Sequence, residues 1–191
     1  MVKLSASGAD ANSHALLKNF HGKAEDYLSD SGLTYTSVRP NFYMQNMLHS
    51  AASIIAENRF YLPMRDGSTG LIDVADVAEF IAEVLTGEGH DNKIHYITGP
   101  EILSFTEMAT QMSEVFGREI SYVDVPSQAF CDELRKWGTG DWYVAAVTDL
   151  FELIASNDGA KKTDTFTEVC GHAPRSFREF LEIHKAAFSK S

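Results

Sequence analysis

The sequence predicts an α/β fold, a parallel sheet of strand–helix units followed by a small, mainly helical carboxyl-terminal cap. Three observations predict it. Short extended runs alternate with longer amphipathic ones through residues 1–125, which is the pattern of a sheet protein rather than a bundle. Beyond Pro126 strand character is lost, and residues 126–191 read as helical pieces separated by Gly and Pro. The 191 residues are 44% hydrophobic and 23% charged, and a chain of this size removes roughly 70% of its unfolded surface from water. Residues 1–125 are therefore expected to form the α/β part, interleaved with cap segments, and residues 126–191 the cap.

Residues 2–6 make a short strand, and residues 13–30 place Leu16, Leu17, Phe20, Ala24, Tyr27 and Leu28 at helical spacing before the Ser31-Gly32 stop. Residues 34–38 form the next strand, after which Pro40, having no backbone donor, starts a turn. Residues 42–56 set Phe42, Met44, Met47, Leu48, Ala51 and Ile55 on one side of a helix. Extended runs at 59–63 and 70–73 flank an Asp66-Gly67-Ser68 turn. Asp73 then N-caps a helix with the stripe Val77, Phe80, Ile81, Val84 and Leu85, which Gly87 and Gly89 stop. Residues 93–98 form a strand, and Ser104-Phe105-Thr106-Glu107 is a capping box opening a helix that ends at Gly117. Residues 119–125 alternate as the last strand. Four helical pieces follow, near 128–136, 142–155, 165–170 and 176–188.

Composition removes several function classes. Sixteen Lys and Arg against 27 Asp and Glu leave a formal charge of -11, which argues against direct binding to nucleic-acid phosphates. Cys131 and Cys170 lack neighbours at metal-ligand spacing and read as reduced thiols of a cytoplasmic protein. No apolar run approaches the ~20 residues of a membrane-spanning helix, and residues 1–7 hold no apolar signal core. The seven His residues include no pair at i, i+4 with a carboxylate suited to zinc, so no metal site is expected. No Gly-x-Ser-x-Gly elbow is available to present a serine nucleophile.

Chemistry is expected where Arg39-Pro40-Asn41-Phe42 follows a strand, because open α/β sheets bind ligands at the carboxyl ends of their strands. Arg39 itself reads as structural, holding a carboxylate or a carbonyl. Asp73 and Asp76, at a helix start, are explained by capping and the helix dipole rather than as an acid–base pair. Trp137, Trp142 and Tyr143 flank Gly138-Thr139-Gly140-Asp141. Packing of the cap accounts for them, or the segment is a lid bringing aromatic surface over a flat substrate.

Six segments carry a family likeness: His21-Gly22-Lys23-Ala24-Glu25, Ser31-Gly32-Leu33-Thr34-Tyr35-Thr36, Arg39-Pro40-Asn41-Phe42-Tyr43-Met44-Gln45-Asn46, Asp73-Val74-Ala75-Asp76-Val77-Ala78, Tyr96-Ile97-Thr98-Gly99-Pro100-Glu101 and Gly171-His172-Ala173-Pro174-Arg175-Ser176-Phe177. Together they run through nearly the whole chain and resemble the NmrA-like family of atypical short-chain dehydrogenases. Within that family the wording is most similar to NAD(P)H-dependent quinone and azo-dye reductases. Other relatives are redox-sensing regulators that bind dinucleotide without turning it over.

The resemblance implies a Rossmann-type fold whose opening βαβ unit cradles the pyrophosphate on a Gly-rich turn, and no G-x-x-G-x-x-G or G-x-G-x-x-G stands in this sequence. Residues 2–5 resemble a strand in the second half of that sheet. The chain is thus expected to be the second half of a Rossmann-type parallel sheet with its cap, truncated before the fingerprint and before the residue that chooses NAD or NADP.

Short-chain dehydrogenases place a Tyr and a Lys four apart on this helix, often with a Glu four beyond the Lys. In that register Glu25 puts His21 at the Lys position and Leu17 at the Tyr position. His21 is then the expected catalytic and cofactor-facing residue, a neutral imidazole bonding a ribose hydroxyl or a substrate oxygen, or else a helix His satisfied by a backbone carbonyl or by Glu25. Pro40, Asn41 and Phe42 resemble the segment that borders the nicotinamide, with Asn46 beside the substrate; read alone, Asn41 is a helix N-cap. Trp137 and Trp142 would shape the substrate pocket. The implied function is NAD(P)H-dependent reduction of quinone-like acceptors. The alternative is a non-catalytic sensor or interaction module, and an uncovered sheet edge predicts a homo-oligomer or a protein partner.

Overall fold

The computed structural model describes residues 1–189. Its strands are β1 (Val2–Leu4), β2 (Thr36–Pro40), β3 (Arg59–Leu62), β4 (Ser68–Thr69), β5 (Ile94–Ile97), β6 (Leu103–Ser104) and β7 (Ser121–Asp124). Its helices are α1 (Leu16–Asp30), α2 (Ala51–Glu57), α3 (Val74–Thr86), α4 (Phe105–Phe116), α5 (Ser127–Lys136), α6 (Asp141–Ala155), α7 (Thr165–Cys170) and α8 (Phe177–Ile183), with 3-10 segments at Met44–Ser50 and Lys185–Phe188. The main sheet is parallel in the order β1-β2-β5, with Leu4 opposite Val38 and Pro40 opposite Ile97. A parallel pair β3-β7 and a short antiparallel pair β4-β6 complete the strand pairing among the described residues. This is the expected mixed α/β architecture with parallel strands.

Several elements differ from the sequence reading: the strand expected at 70–73 falls at Ser68–Thr69, the helix expected at 176–188 divides into α8 and a 3-10 segment, and two further differences have identifiable partners. β2 runs through Pro40 instead of stopping at Val38. Along β2 the even positions bond toward β1, as Thr36 N does to the Met1 carbonyl at 2.8 Å. Pro40's missing donor therefore falls on the β1 side, beyond Leu4, where the ladder has ended, and its carbonyl still accepts from Ser7 N at 3.1 Å. Residues 42–56 are not one helix: a 3-10 segment, Met44–Ser50, precedes α2. Phe42 and Tyr43 stay extended because Ile72 engages them, its N–H donating to the Phe42 carbonyl at 2.9 Å and its backbone bridging Tyr43.

Two apolar cores hold these layers. The larger contains Phe60, Phe105, Met108, Phe177 and Phe180, and α4 and α8 pack together over it. The smaller joins Val38 and Ile97 of the sheet to Val77 and Phe80 of α3 and Phe166 of α7. After Pro126 the helices therefore go to different places: α5 packs on α6 and α6 on α1, whereas α7 braces α3. Caps fall where expected, with Asp73 accepting from Ala75 N at 2.8 Å and Ser104 and Glu107 closing a reciprocal box. Asp76 goes further than a dipole role. It is buried, accepts from Arg175 N at 2.7 Å and pairs with the Arg175 guanidinium, pinning the loop before α8.

α1 is held unusually close to the loop before it. A Cβ on Gly22 would lie 2.1 Å from Ala11 N and 2.2 Å from the Asp10 carbonyl carbon, so only glycine fits there. Asn19 Nδ2 donates to the Ala11 carbonyl at 2.5 Å, and the first turn of α1, which has no side-chain cap of its own, is met by Asp149 of α6 accepting from Leu16 N at 3.0 Å. These contacts set the height and rotation of the helix that carries His21.

Candidate functional site

The turns that follow β1 and β2, the amino-terminal half of α1 and the end of α6 enclose a cavity of about 340 Å³. It opens at the carboxyl ends of parallel strands, where such sheets take ligands. His21, Pro40, Asn41, Phe42 and Asn46 all line it. Asn41 is a strut here and not a helix cap: Nδ2 donates to the Gly159 carbonyl at 2.8 Å, and Oδ1 accepts from Phe42 N at 2.9 Å and from Thr69 Oγ1 at 3.3 Å. One turn before His21 on α1, Lys18 pairs with Asp158 at 2.5 Å at the cavity wall.

His21 is tied into a buried polar chain beneath the cavity. Lys3 Nζ lies 3.1 Å from His21 Nδ1 and donates to Ser5 Oγ at 2.8 Å. Ser5 Oγ donates to Glu25 Oε1 at 2.5 Å, and Arg39 grips the same carboxylate with Nε at 3.1 Å and with Nη2. Arg39 thus holds a carboxylate, as its position at a strand end suggested. The partner of His21 at Nδ1 is Lys3, neither a backbone carbonyl nor Glu25. Burial, then the Lys3 charge, hold the His21 pKa below the ordinary histidine value against the opposing pull of Glu25. Burial lowers Lys3 as well, partly offset by Glu25.

A second cavity, of about 790 Å³, adjoins the first and shares Leu17, Phe42, Tyr43, Asn46 and Leu150 with it. Its walls come mostly from the 3-10 segment Met44–Ser50, α5 and α6 and are largely apolar and aromatic. Trp137 and Trp142 line it at 70% and 53% exposure, and Phe20 meets Trp142 edge-on at 5.6 Å. Tyr43 stands at the junction, half-buried, and burial raises its phenol above the usual range, so it carries its proton at neutral pH.

The structure places the residues given a site role in the sequence around two joined cavities: His21, Pro40, Asn41 and Phe42 on the first, Asn46 between them, Trp137 and Trp142 on the second. Sequence reasoning missed Lys3, Lys18, Tyr43, Asp149 and Asp158. Lys3 and Ser5 had a signal, since alternate strand residues share a face and a charge on the helix-covered face of a strand needs a partner. Asp149 and Asp158 had none, because they arrive from the far end of the chain. Among the described residues no group of three or more His, Cys, Asp or Glu is placed to hold a metal ion, and no helix is long and apolar enough to cross a membrane.

A parallel sheet flanked by helices, with its cavity at the strand ends, defines a Rossmann-like α/β protein. The chain belongs to the NmrA-like family, whose model matches residues 9–181. It is 32% identical to the NAD(P)H azoreductase of Xenophilus azovorans over 95% of this chain and 63% of that protein. It is 26% identical to quinone oxidoreductase 2 of Escherichia coli over 85% of this chain and 57% of that protein. The fold superposes on the NADPH complex of the Escherichia coli NADPH-dependent quinone oxidoreductase with a TM-score of 0.86, at 24% identity, covering 95% of this chain and 64% of that one. It also matches NmrA, a negative transcriptional regulator solved with NAD, at a TM-score of 0.65 and 13% identity, over 95% of this chain and 62% of that one. The chain therefore spans less than two thirds of the length of these relatives.

Proposed function

We propose that this chain forms the nicotinamide- and acceptor-binding part of an NAD(P)H-dependent oxidoreductase that reduces flat conjugated acceptors of the quinone or azo class. The observation that carries this reading is the pair of joined cavities, one at the strand ends with His21, Lys18 and Asn41 set in a mostly apolar wall, the other wider and aromatic, meeting at Phe42, Tyr43 and Asn46. The names borne by the azoreductase and quinone oxidoreductase relatives support the same reaction class.

The first cavity suits the nicotinamide end of a dinucleotide. Pro40 and Phe42 provide a flat apolar wall, while His21 and Lys18 provide polar contacts for ribose or amide oxygens. When bound, the nicotinamide supplies the hydride. The chain's own groups then hold the acceptor: Asn46 and the protonated Tyr43 phenol stand at the junction as hydrogen-bond donors to an acceptor oxygen or nitrogen that gains negative charge. Trp137 and Trp142 offer aromatic faces at the rim of the second cavity. Cys131 and Cys170 as free thiols, Cys170 pushed up to about 11 chiefly by burial, suit a reducing cytoplasm.

The test is titration of NADPH and of NADH against the purified protein, followed by nucleotide fluorescence, with His21→Ala alongside. Saturable binding that His21→Ala weakens is the expected result, and absence of binding at millimolar nucleotide overturns the reading.

A second reading rests on β1. It pairs with β2 along one edge, and its other edge meets no strand among the described residues. Such an edge favours a non-catalytic interaction module that self-associates through strand pairing. Sedimentation velocity decides this: a concentration-dependent dimer supports it, and a monomer across the range removes it.

A further inference from the structure

We infer that Lys3 is a positioning residue which, through Ser5 and Glu25, fixes the His21 imidazole in the tautomer that accepts at Nδ1 and donates from Nε2, so that the ring offers the strand-end cavity a hydrogen-bond donor. The direction of every hydrogen bond in the chain follows from one end. Glu25 is 5% exposed and accepts from both Arg39 Nε and Nη2, so it is ionised and has only acceptors to offer. The Ser5 hydroxyl, 2.5 Å away, must spend its single proton on Oε1. Ser5 Oγ is then available to Lys3 Nζ, at 2.8 Å, only as an acceptor. An ammonium has donors alone. At 3.1 Å from it, His21 Nδ1 must be the unprotonated nitrogen, and the imidazole proton sits on Nε2.

The surrounding charges point the same way. Protonating His21 would turn a second N–H toward the Lys3 ammonium, whose charge is offset from behind by Glu25, on the same helix as His21, while Arg39 on β2 adds a second positive charge. On the cavity side Lys18 and Asp158 neutralise each other, and Asp149 is engaged by the Leu16 N–H. No carboxylate is bonded directly to the ring to favour the imidazolium among the described contacts. His21 therefore becomes a neutral donor at a lower pH than an ordinary histidine does, suited to holding a ribose or acceptor oxygen instead of delivering a proton. That use rests on the oxidoreductase reading above; the tautomer does not.

The experiment is long-range proton–nitrogen NMR on the full 15N-labelled chain without nucleotide, following both His21 ring nitrogens through a pH titration in wild type, Lys3→Met and Lys3→Arg. The expected wild-type spectrum shows an unprotonated Nδ1, a protonated Nε2 and a midpoint below the ordinary 6.5. Lys3→Met should move the midpoint upward and the Nδ1 signal toward a tautomer mixture, and Lys3→Arg, which keeps a charged donor, should restore both. A protonated Nδ1 in the neutral wild-type ring overturns the proposal, and that spectrum alone decides if Lys3→Met does not fold. An unmoved midpoint in folded Lys3→Met overturns it equally. Because no nucleotide is present, failure of dinucleotide binding in the separate titration leaves this result standing.

Discussion

The side-chain amide of Asn41 donates to the carbonyl of Gly159, 2.8 Å away and 118 residues further along the chain. The same Gly159 carbonyl receives Gly70 N at 3.2 Å, and the Asn41 oxygen faces Phe42 N and Thr69 Oγ1. One buried carboxamide thus ties the end of β2 to the turn after α6, closing the first cavity from two sides. Asn41→Asp keeps the shape but sets a carboxylate against a carbonyl. It should cost about 1–3 kcal/mol of stability, the usual penalty for an unmatched buried polar group, and weaken NADPH binding. Chemical denaturation checks the first and nucleotide fluorescence the second; an unchanged denaturation midpoint would show that the strut carries no weight.

Gly22 fills a similar structural need one residue beyond His21. The atoms that a Cβ would strike are backbone atoms of Ala11 and Asp10, which have no rotamer to retreat into. Gly22→Ala should therefore lift α1 off the preceding loop, costing roughly 1–3 kcal/mol as overpacking does, and displace His21 and Lys18 from the cavity wall. Gly140→Ala, where the added Cβ meets nothing, is the control and should leave the thermal midpoint in place. Equal melting of the two variants would contradict the close approach.

Acid stability should report on Glu25. Burial would raise its pKa, but the hydrogen bonds from Arg39 and Ser5, with the charges of Arg39 and Lys3, outweigh burial and hold it below the ordinary 4.5. The folded state therefore binds this proton less readily than the unfolded state. Its contribution is fully present above the ordinary carboxylate value and is lost as pH falls through the lowered folded value. Glu25→Gln should lose about 3–5 kcal/mol at neutral pH, since Arg39 and Lys3 then lack their counter-charge. It should also show a shallower decline than wild type on acidification. Urea denaturation across the acid range compares the two slopes, and parallel slopes would refute the role given to Glu25.

Much of the fold around this site was legible in the sequence because its parts are local. Asp73 beside a helix start, Ser104 three residues before Glu107, and Arg39 at a strand end each satisfy backbone or charge demands set by near neighbours. The segment from Pro40 to Asn46, expected at a strand end, does line the cavity there, since it follows a parallel strand. The single helix expected at 42–56 failed because Ile72, a distant residue, holds Phe42 and Tyr43 extended. Periodicity carries no trace of such a bridge. Asp149 and Asp158 escaped for the same reason, since their roles exist only once α6 lies against α1. Lys3 is different: its i, i+2 relation to Ser5 was readable, and only its partners across the helix were not.

The second cavity makes a prediction about selectivity that separates acceptor from nucleotide. Trp142 lines the wide cavity, is half-exposed and meets Phe20 edge-on at 5.6 Å, but it does not line the strand-end cavity beside His21. A flat acceptor entering from solvent meets this ring at the rim, and an aromatic pair adds about 0.5–1.5 kcal/mol beyond simple burial. Trp142→Ala should raise KM for a naphthoquinone-type acceptor by about two- to tenfold, the same free energy written as a ratio. The kcat value and the affinity for NADPH should hold, because Tyr43, Asn46 and the Lys3–His21 pair are untouched. Steady-state rates with the quinone varied at saturating NADPH, together with a fluorescence titration of NADPH, measure both. A matched loss in nucleotide affinity would instead make Trp142 a support for the whole α1–α6 contact, and the assignment of the wide cavity to the acceptor would fall with it.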